Sequence, residues 1–356
     1  MSIEQLELNP RIIKAVNNAN IGVARDILKF SGPDLQRLTR LSASDVHHLQ
    51  TAVAALFCKK TPVSALQLYR GECPEWDCGL RVSLGCPVLD GVLRGGLLPW
   101  GLTELAGPSG AGKSQLAMQL CLSVQYPVQY GGLGSGALYI CTEDSFPIRR
   151  LKQLQNEQPS LRSDVPPDVV SSICFSDNIY VEHAADLVGY SGAEGRCRNK
   201  LVPVLLAQGR VRLLVVDSVA ALFRSEFQAD QGLERSRHLT AFATALHKLS
   251  ASYQLPILCV NQVTDVMEGD SNHDAGLRPV DSKVVPALGM AWANQVMVRL
   301  MVTRLPGAVS MGTQSSARRR LEVVFAPHLA RDSCLFGVWR EGTRGLPSPP
   351  TQDTSS

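Results

Sequence analysis

The segment Gly107-Pro108-Ser109-Gly110-Ala111-Gly112-Lys113-Ser114 constrains this chain more than any other stretch. It matches G-x-x-x-x-G-K-[ST], a phosphate-binding loop. An apolar strand pattern, Leu102 to Ala106, precedes it, and a helical run, Gln115 to Tyr126, follows. Glycines let the backbone wrap a phosphate and aim successive N–H groups at it. The helix N-terminus adds partial positive charge. Lys113 can reach the terminal phosphates as a point charge, and the Ser114 hydroxyl can ligate magnesium. Such a strand–loop–helix unit belongs in an α/β sheet.

Bulk properties set looser bounds. The chain of 356 residues has room for one large domain and a small one. No apolar run reaches spanning length, and the start Met1-Ser2-Ile3-Glu4 lacks a basic leader region, which argues against secretion and membrane insertion. The ten cysteines are scattered, and Cys121, Cys141 and Cys259 fall inside predicted helices or strands, as reduced buried thiols do. Cys73, Cys78 and Cys86 form the one grouping, but their spacing is not a standard zinc pattern and no histidine lies close by. A net charge of +3 neither requires nor excludes nucleic acid.

Residues 1–58 read as short helices: Asn9-Pro10 starts one, Ser31-Gly32-Pro33-Asp34 separates two more, and Ser42 or Ser44 caps the last. Ile12, Ile13, Val16, Ile27, Leu28, Phe30, Leu35 and Leu38 supply apolar faces. This is the pattern of a small helical domain of helix-hairpin-helix type. Its turn reads Ala19-Asn20-Ile21-Gly22 rather than Gly-x-Gly, and its charges form no strong patch, so protein contact and DNA contact both stay open. Residues 59–80 read as a linker, 81–343 as the large domain and 344–356 as a disordered Pro-rich tail. Strands are predicted at 103–106, 138–142, 212–217, 257–261, 296–302, 321–325 and 334–339. Helical runs sit between the earlier ones, such as 235–252. The expected fold is a mostly parallel sheet with an antiparallel edge extension.

Three of these strands end in polar groups. Leu213-Leu214-Val215-Val216-Asp217 ends in a carboxylate which, after a phosphate loop, can hold magnesium through water. Leu138-Tyr139-Ile140-Cys141-Thr142-Glu143 ends in another acid. If that strand pairs beside the phosphate-loop strand, Glu143, or Asp144 after it, can orient attacking water. Pro256 to Gln262 ends in an amide that can sense a terminal phosphate.

Taken in order, these strand ends resemble the RecA-type recombinase family, over about residues 80–340. The matching segments are Arg94-Gly95-Gly96-Leu97, Gly101-Leu102-Thr103-Glu104-Leu105, Thr142-Glu143-Asp144-Ser145-Phe146 followed by Arg150, Val216-Asp217-Ser218-Val219-Ala220 and Asn261-Gln262-Val263. Leu8 to Ile13, Phe30 to Leu35, Ser83 to Asp90 and Ala326-Pro327-His328-Leu329 point to one paralogue within it. The resemblance implies ATP and Mg2+ as cofactors, with Gly107 to Ser114 around the phosphates. Glu143 is then the water-activating acid, Asp217 the magnesium-side acid beside Ser114, Gln262 the phosphate sensor, and Arg150 a plane stacked on adenine. It further implies homologous-recombination repair of double-strand breaks, nuclear location with a cytoplasmic pool, and a heterodimer with another recombinase paralogue. The main recombinase would be a further partner. Two loops, about 224–237 and 263–285, would face DNA, single-stranded or branched, with Arg224, Arg235 and Arg237 as basic contacts.

Departures from the family shape the mechanism. Across 263–285 five acids stand against two bases, the wrong sign for gripping phosphates, and no aromatic is present for stacking. The linker stretch Pro62-Val63-Ser64-Ala65 lacks the aromatic anchor of self-polymerising members, so pairing is expected rather than a long filament. Phe325-Ala326-Pro327 lacks the acid that other members place over a neighbour's nucleotide. Arg318-Arg319-Arg320 reads as a solvated strand edge. Two functions remain: a DNA-dependent ATPase serving recombination, and an ATP-binding adaptor with little turnover. A ring-helicase motor accounts for the ATP site but not for the helical front end.

Overall fold

In a computed structural model, the described residues are 8–19, 21, 24–57, 63–72, 80–143, 145–183, 201–224, 231–265 and 284–347. The chain divides into two units, Met1–Gly79 and Leu80–Ser356.

The first unit is helical, and its helix starts are written in the sequence. Asn9 accepts a hydrogen bond from the Arg11 amide and caps Pro10–Asn18, Ser31 caps Gly32–Thr39, and Ser42 accepts from the Asp45 amide at the head of Ala43–Phe57. Its core gathers Ile12, Val16, Ile27, Leu35, Leu49 and Val53. Leu28 and Leu38, expected on the apolar faces, are 42% and 50% exposed. In Gly32–Thr39 the buried pair is Leu35 and Thr39, one i,i+4 stripe, which turns Leu38 outward. The stretch expected as a linker contains a helix, Ala65–Tyr69, closed by a capping box between Ser64 and Gln67.

The second unit is built on nine strands of one sheet: β1 (Gly101–Ala106), β2 (Gly136–Cys141), β3 (Ile179–His183), β4 (Val211–Asp217), β5 (Pro256–Asn261), then β8 (Val298–Met311), β9 (Gln314–Phe325), β10 (Ser333–Val338) and β11 (Thr343–Gly345). Between β5 and β8, β6 (Val263–Asp265) and β7 (Val284–Pro286) form a separate antiparallel pair. The order across the large sheet is β11-β10-β9-β8-β1-β5-β4-β2-β3. β8 is parallel to β1 and antiparallel to β9, so the sheet changes sense there. The expected architecture, a mostly parallel sheet with an antiparallel extension, is the one observed. β3, β6, β7 and β11 are short strands that the apolar patterns did not reveal.

Period-two alternation sends each parallel strand's side chains to two cores. Tyr139, Leu213, Val215, Leu258 and Val260 face one, with Leu116, Ala117 and Leu120 of the helix Lys113–Ser123. Leu138, Ile140, Leu214, Val216, Ile257 and Cys259 face the other, with Leu239, Phe242 and Leu246 of the helix Gly232–Tyr253. A sheet covered on both faces needs apolar residues at every position, hence the continuous runs in the sequence. Cys121, Cys141 and Cys259 are buried free thiols, as expected. Among the described residues no helix is long and apolar enough to cross a membrane, and no three or more histidine, cysteine or acidic side chains gather as an all-protein metal site would need. Cys73, Cys78 and Asp144 lie outside the described residues, as does the tail from residue 348.

Candidate nucleotide site

Parallel pairing brings the carboxyl ends of β1, β5, β4 and β2 to one edge of the sheet. Ala106 pairs with Asn261, Asp217 with Val260 and Cys141 with Asp217, so the residues leaving these strands emerge side by side. A crevice at that edge is where open α/β sheets take ligands. Here it is an open cavity of about 1000 Å³, lined by phosphate-loop residues with Glu143, Arg150, Asp217, Gln262, Arg319 and Trp339.

The loop is shaped by close approach and by left-handed backbone. A Cβ on Gly107 would lie 2.2 Å from the Val302 carbonyl oxygen, so nothing larger fits against β8. Gly110 and Gly112 take φ of 71° and 106°, and Gly112 caps the helix Lys113–Ser123. The Lys113 ammonium donates to the carbonyl oxygens of Gly107 at 2.7 Å and Pro108 at 2.9 Å. Burial pulls its pKa below the ordinary lysine range, and the Asp217 and Glu143 carboxylates act against that pull.

Asp217 receives the Ser114 hydroxyl at 2.7 Å and the Tyr139 hydroxyl, both on Oδ2. Burial, then the charge of Asp217, raise the Tyr139 pKa far above its usual value, so that phenol stays a donor. Glu143 accepts on one oxygen from Ser218 at 2.8 Å and from the Gln262 amide. Thr142 ties the two strand ends, since its hydroxyl accepts from the Ser218 amide and donates to the Ser218 carbonyl. Ser114 and Asp217 thus present hard oxygen donors beside a glycine cradle and one ammonium, a set that fits a magnesium–triphosphate.

All of the predicted phosphate-loop residues except Gly107 and Ala111 line this cavity, as do Glu143, Asp217 and Gln262. The strand pairing anticipated for Glu143 is not the one found: β5 and β4 lie between β1 and β2. Glu143 reaches the cavity because it stands two residues beyond β2 and is drawn across by Gln262 and Ser218. Arg150 lines the far end, where its guanidinium donates to Gln115, Gln153 and the carbonyls of Trp339 and Arg340. It clips two helices to the β10–β11 turn. Burial lowers its pKa, against the pull of Glu341.

The predicted DNA contacts stand apart. Arg235 donates to the Ala287 carbonyl at 3.4 Å and Arg237 is exposed, and neither lines the cavity. Arg224 ends the helix Val219–Arg224, and its side chain lies outside the described residues, as do 225–230 and 266–283. The Arg318-Arg319-Arg320 run is not a sheet edge. β9 lies between β8 and β10, and strand alternation turns Arg318 outward and Arg319 into the cavity wall. Sequence reasoning assigned no role to Tyr139, Ser218 or Arg319. Adjacency to Asp217 could have flagged Ser218. Arg319 needed the position of β9.

Comparison with known proteins agrees with this geometry. The Rad51 family matches residues 78–345, and an XRCC3/RpoA-like helix-hairpin-helix domain matches 3–57. DNA repair protein XRCC3 of Mus musculus is 46% identical over 98% of this chain and 99% of the mouse protein. The Bos taurus protein of that name is 48% identical over 98% of both chains. DNA repair protein rhp57 of Schizosaccharomyces pombe is 27% identical over 86% of this chain and 88% of its own. With a glycine cradle on a RecA-type sheet, a helix-hairpin-helix front end and near full-length similarity to two XRCC3 proteins, the chain belongs to the Rad51 family, in its XRCC3 branch.

Proposed function

We propose that this chain binds ATP with Mg2+ at the sheet edge and serves homologous-recombination repair of DNA double-strand breaks. It would work in the nucleus, paired with another recombinase paralogue and acting with the main recombinase on DNA. Support comes from the relatives, named as DNA repair proteins, and from one observation above others. Lys113, the Ser114–Asp217 pair and the Glu143–Gln262 pair converge on a single cavity. Bound Mg2+ would supply charge neutralisation for the phosphates. Lys113 would exchange its loop carbonyls for phosphate oxygens, Ser114 and Asp217 would hold the cation side, and the backbone amides after Gly110 would cradle the anion. Glu143 would orient water for a slow, DNA-stimulated hydrolysis. Because Gln262 donates to that same carboxylate, Gln262 can report a terminal phosphate to β6, which begins at the next residue.

A second function has its own support. Glu143 already accepts two hydrogen bonds on one oxygen, which suits an adaptor that uses ATP for shape. Two variants separate the two. Lys113→Ala should weaken ATP binding roughly 100-fold, the scale of charge-assisted hydrogen bonds lost in a partly dry site. Glu143→Gln should keep binding and slow turnover about 100-fold. Cells in which Glu143→Gln supports repair and Lys113→Ala does not would favour the adaptor. Lys113→Ala binding ATP like the parent chain would refute the nucleotide site.

A further inference from the structure

Register places Arg319 of β9 directly opposite Arg304 of β8. Like charges facing each other across a strand pair repel. The Arg319 side chain lies over the phosphate loop: its Cδ and Nε are 3.4 and 3.5 Å from where a Gly112 Cβ would be. It is held there from behind. Nη1 donates to Ser316 Oγ at 3.1 Å and to the Ala317 carbonyl at 2.8 Å, and Ser316 Oγ in turn accepts from the Val338 amide at 2.9 Å. The Nε donor is buried without an acceptor, and among the described residues no carboxylate pairs with this guanidinium. Burial, then Arg304, depress its proton affinity. A fixed cation with a spare donor, a like-charged neighbour and a place in the cavity wall lacks one component, an anion.

We propose that Arg319 is a second cationic contact for the phosphates of the bound nucleotide, with Arg304 strengthening the field behind it. This rests on the nucleotide reading of the cavity. Lys113 works beside Asp217 and Glu143, whereas Arg319 is tied through Ser316 to Val338, and Gln314 on the same strand accepts from the Arg340 amide. Arg319 therefore meets the sugar end of the phosphate chain, the part common to ADP and ATP.

Titration calorimetry of the full chain tests this, using ADP and a non-hydrolysable ATP analogue, each with Mg2+. Arg319→Gln should weaken both by the same factor, about tenfold, as for one charged hydrogen bond. Arg304→Gln, at an exposed position where folding is not at stake, should weaken both about two- to threefold at low salt. Arg318→Gln, one residue away and facing outward, should bind like the parent. Parental ADP affinity in Arg319→Gln overturns the proposal, and so does a loss confined to the ATP analogue. Should Arg319→Gln not fold, unchanged affinities in Arg304→Gln overturn it instead. A parent chain that binds neither nucleotide removes the nucleotide site itself.

Discussion

Two carboxylates on this sheet are treated in opposite ways. Glu104, in β1, is fully buried, and Arg299 of β8 completes an ion pair with it, with Asn261 donating at 2.6 Å and Trp292 at 3.0 Å. The Arg299 guanidinium also lies over the Phe325 ring. Asp217 is half-buried at the cavity, and among the described residues its carboxylate receives only hydroxyls, from Ser114 and Tyr139. Among the described residues neither Asp217 nor Glu143 is in an ion pair. Where the fold needs an interior acid, it brings its own cation. At the cavity the acids accept from neutral donors, and the nearby Lys113 ammonium is hydrogen-bonded to loop carbonyls instead of closing an ion pair with them.

Removing Glu104 should have the largest effect on that contrast. Glu104→Ala strands Arg299 in the core and should cost about 3–5 kcal/mol in urea unfolding. Replacing both partners, Glu104→Gln with Arg299→Met, should cost clearly less, because no charge is left alone. Asp217→Asn comes next and should behave differently. Stability of the ligand-free chain should move by no more than about 1 kcal/mol, since an amide oxygen still accepts both hydroxyls. The gain in nucleotide affinity on adding Mg2+ should disappear. If Asp217→Asn destabilises the ligand-free chain as much as Glu104→Ala, the two acids have one role and the contrast collapses.

Asp90 sharpens the comparison with the smallest effect. Burial raises its pKa, although Ser83 and the Leu84 amide donate to it. A carboxyl raised on folding binds its proton more tightly in the folded chain. Its effect is absent below the unfolded value near 3.8, and stability declines as pH rises from there through the folded value. Asp90→Asn should flatten that decline in unfolding measured at successive pH values.

Much of the site was legible because its signals are local. Eight consecutive residues carry the phosphate loop, and Asp217 and Glu143 each close or follow a visible apolar run. Glu143 was placed for an incomplete reason, since its strand is three positions from β1 rather than adjacent. Arg150 was legible as a site residue but not as a clip, because Trp339 and Arg340 lie 189 and 190 positions away. Arg319 looked like surface charge, because a run of three arginines reads alike at a sheet edge and in an interior strand.

The chain's order of residues alone determined the loop, the helix caps and the doubly covered parallel sheet. Those depend on backbone freedom, short-range hydrogen bonds and periodicity, all set within a few neighbours. Only the tertiary structure decided which acid received a cation, which arginine overlies the loop and how Gln262 meets Glu143. These follow from strand order and register, and the pairing of distant strands is settled by burial of the whole sheet, not by any one segment.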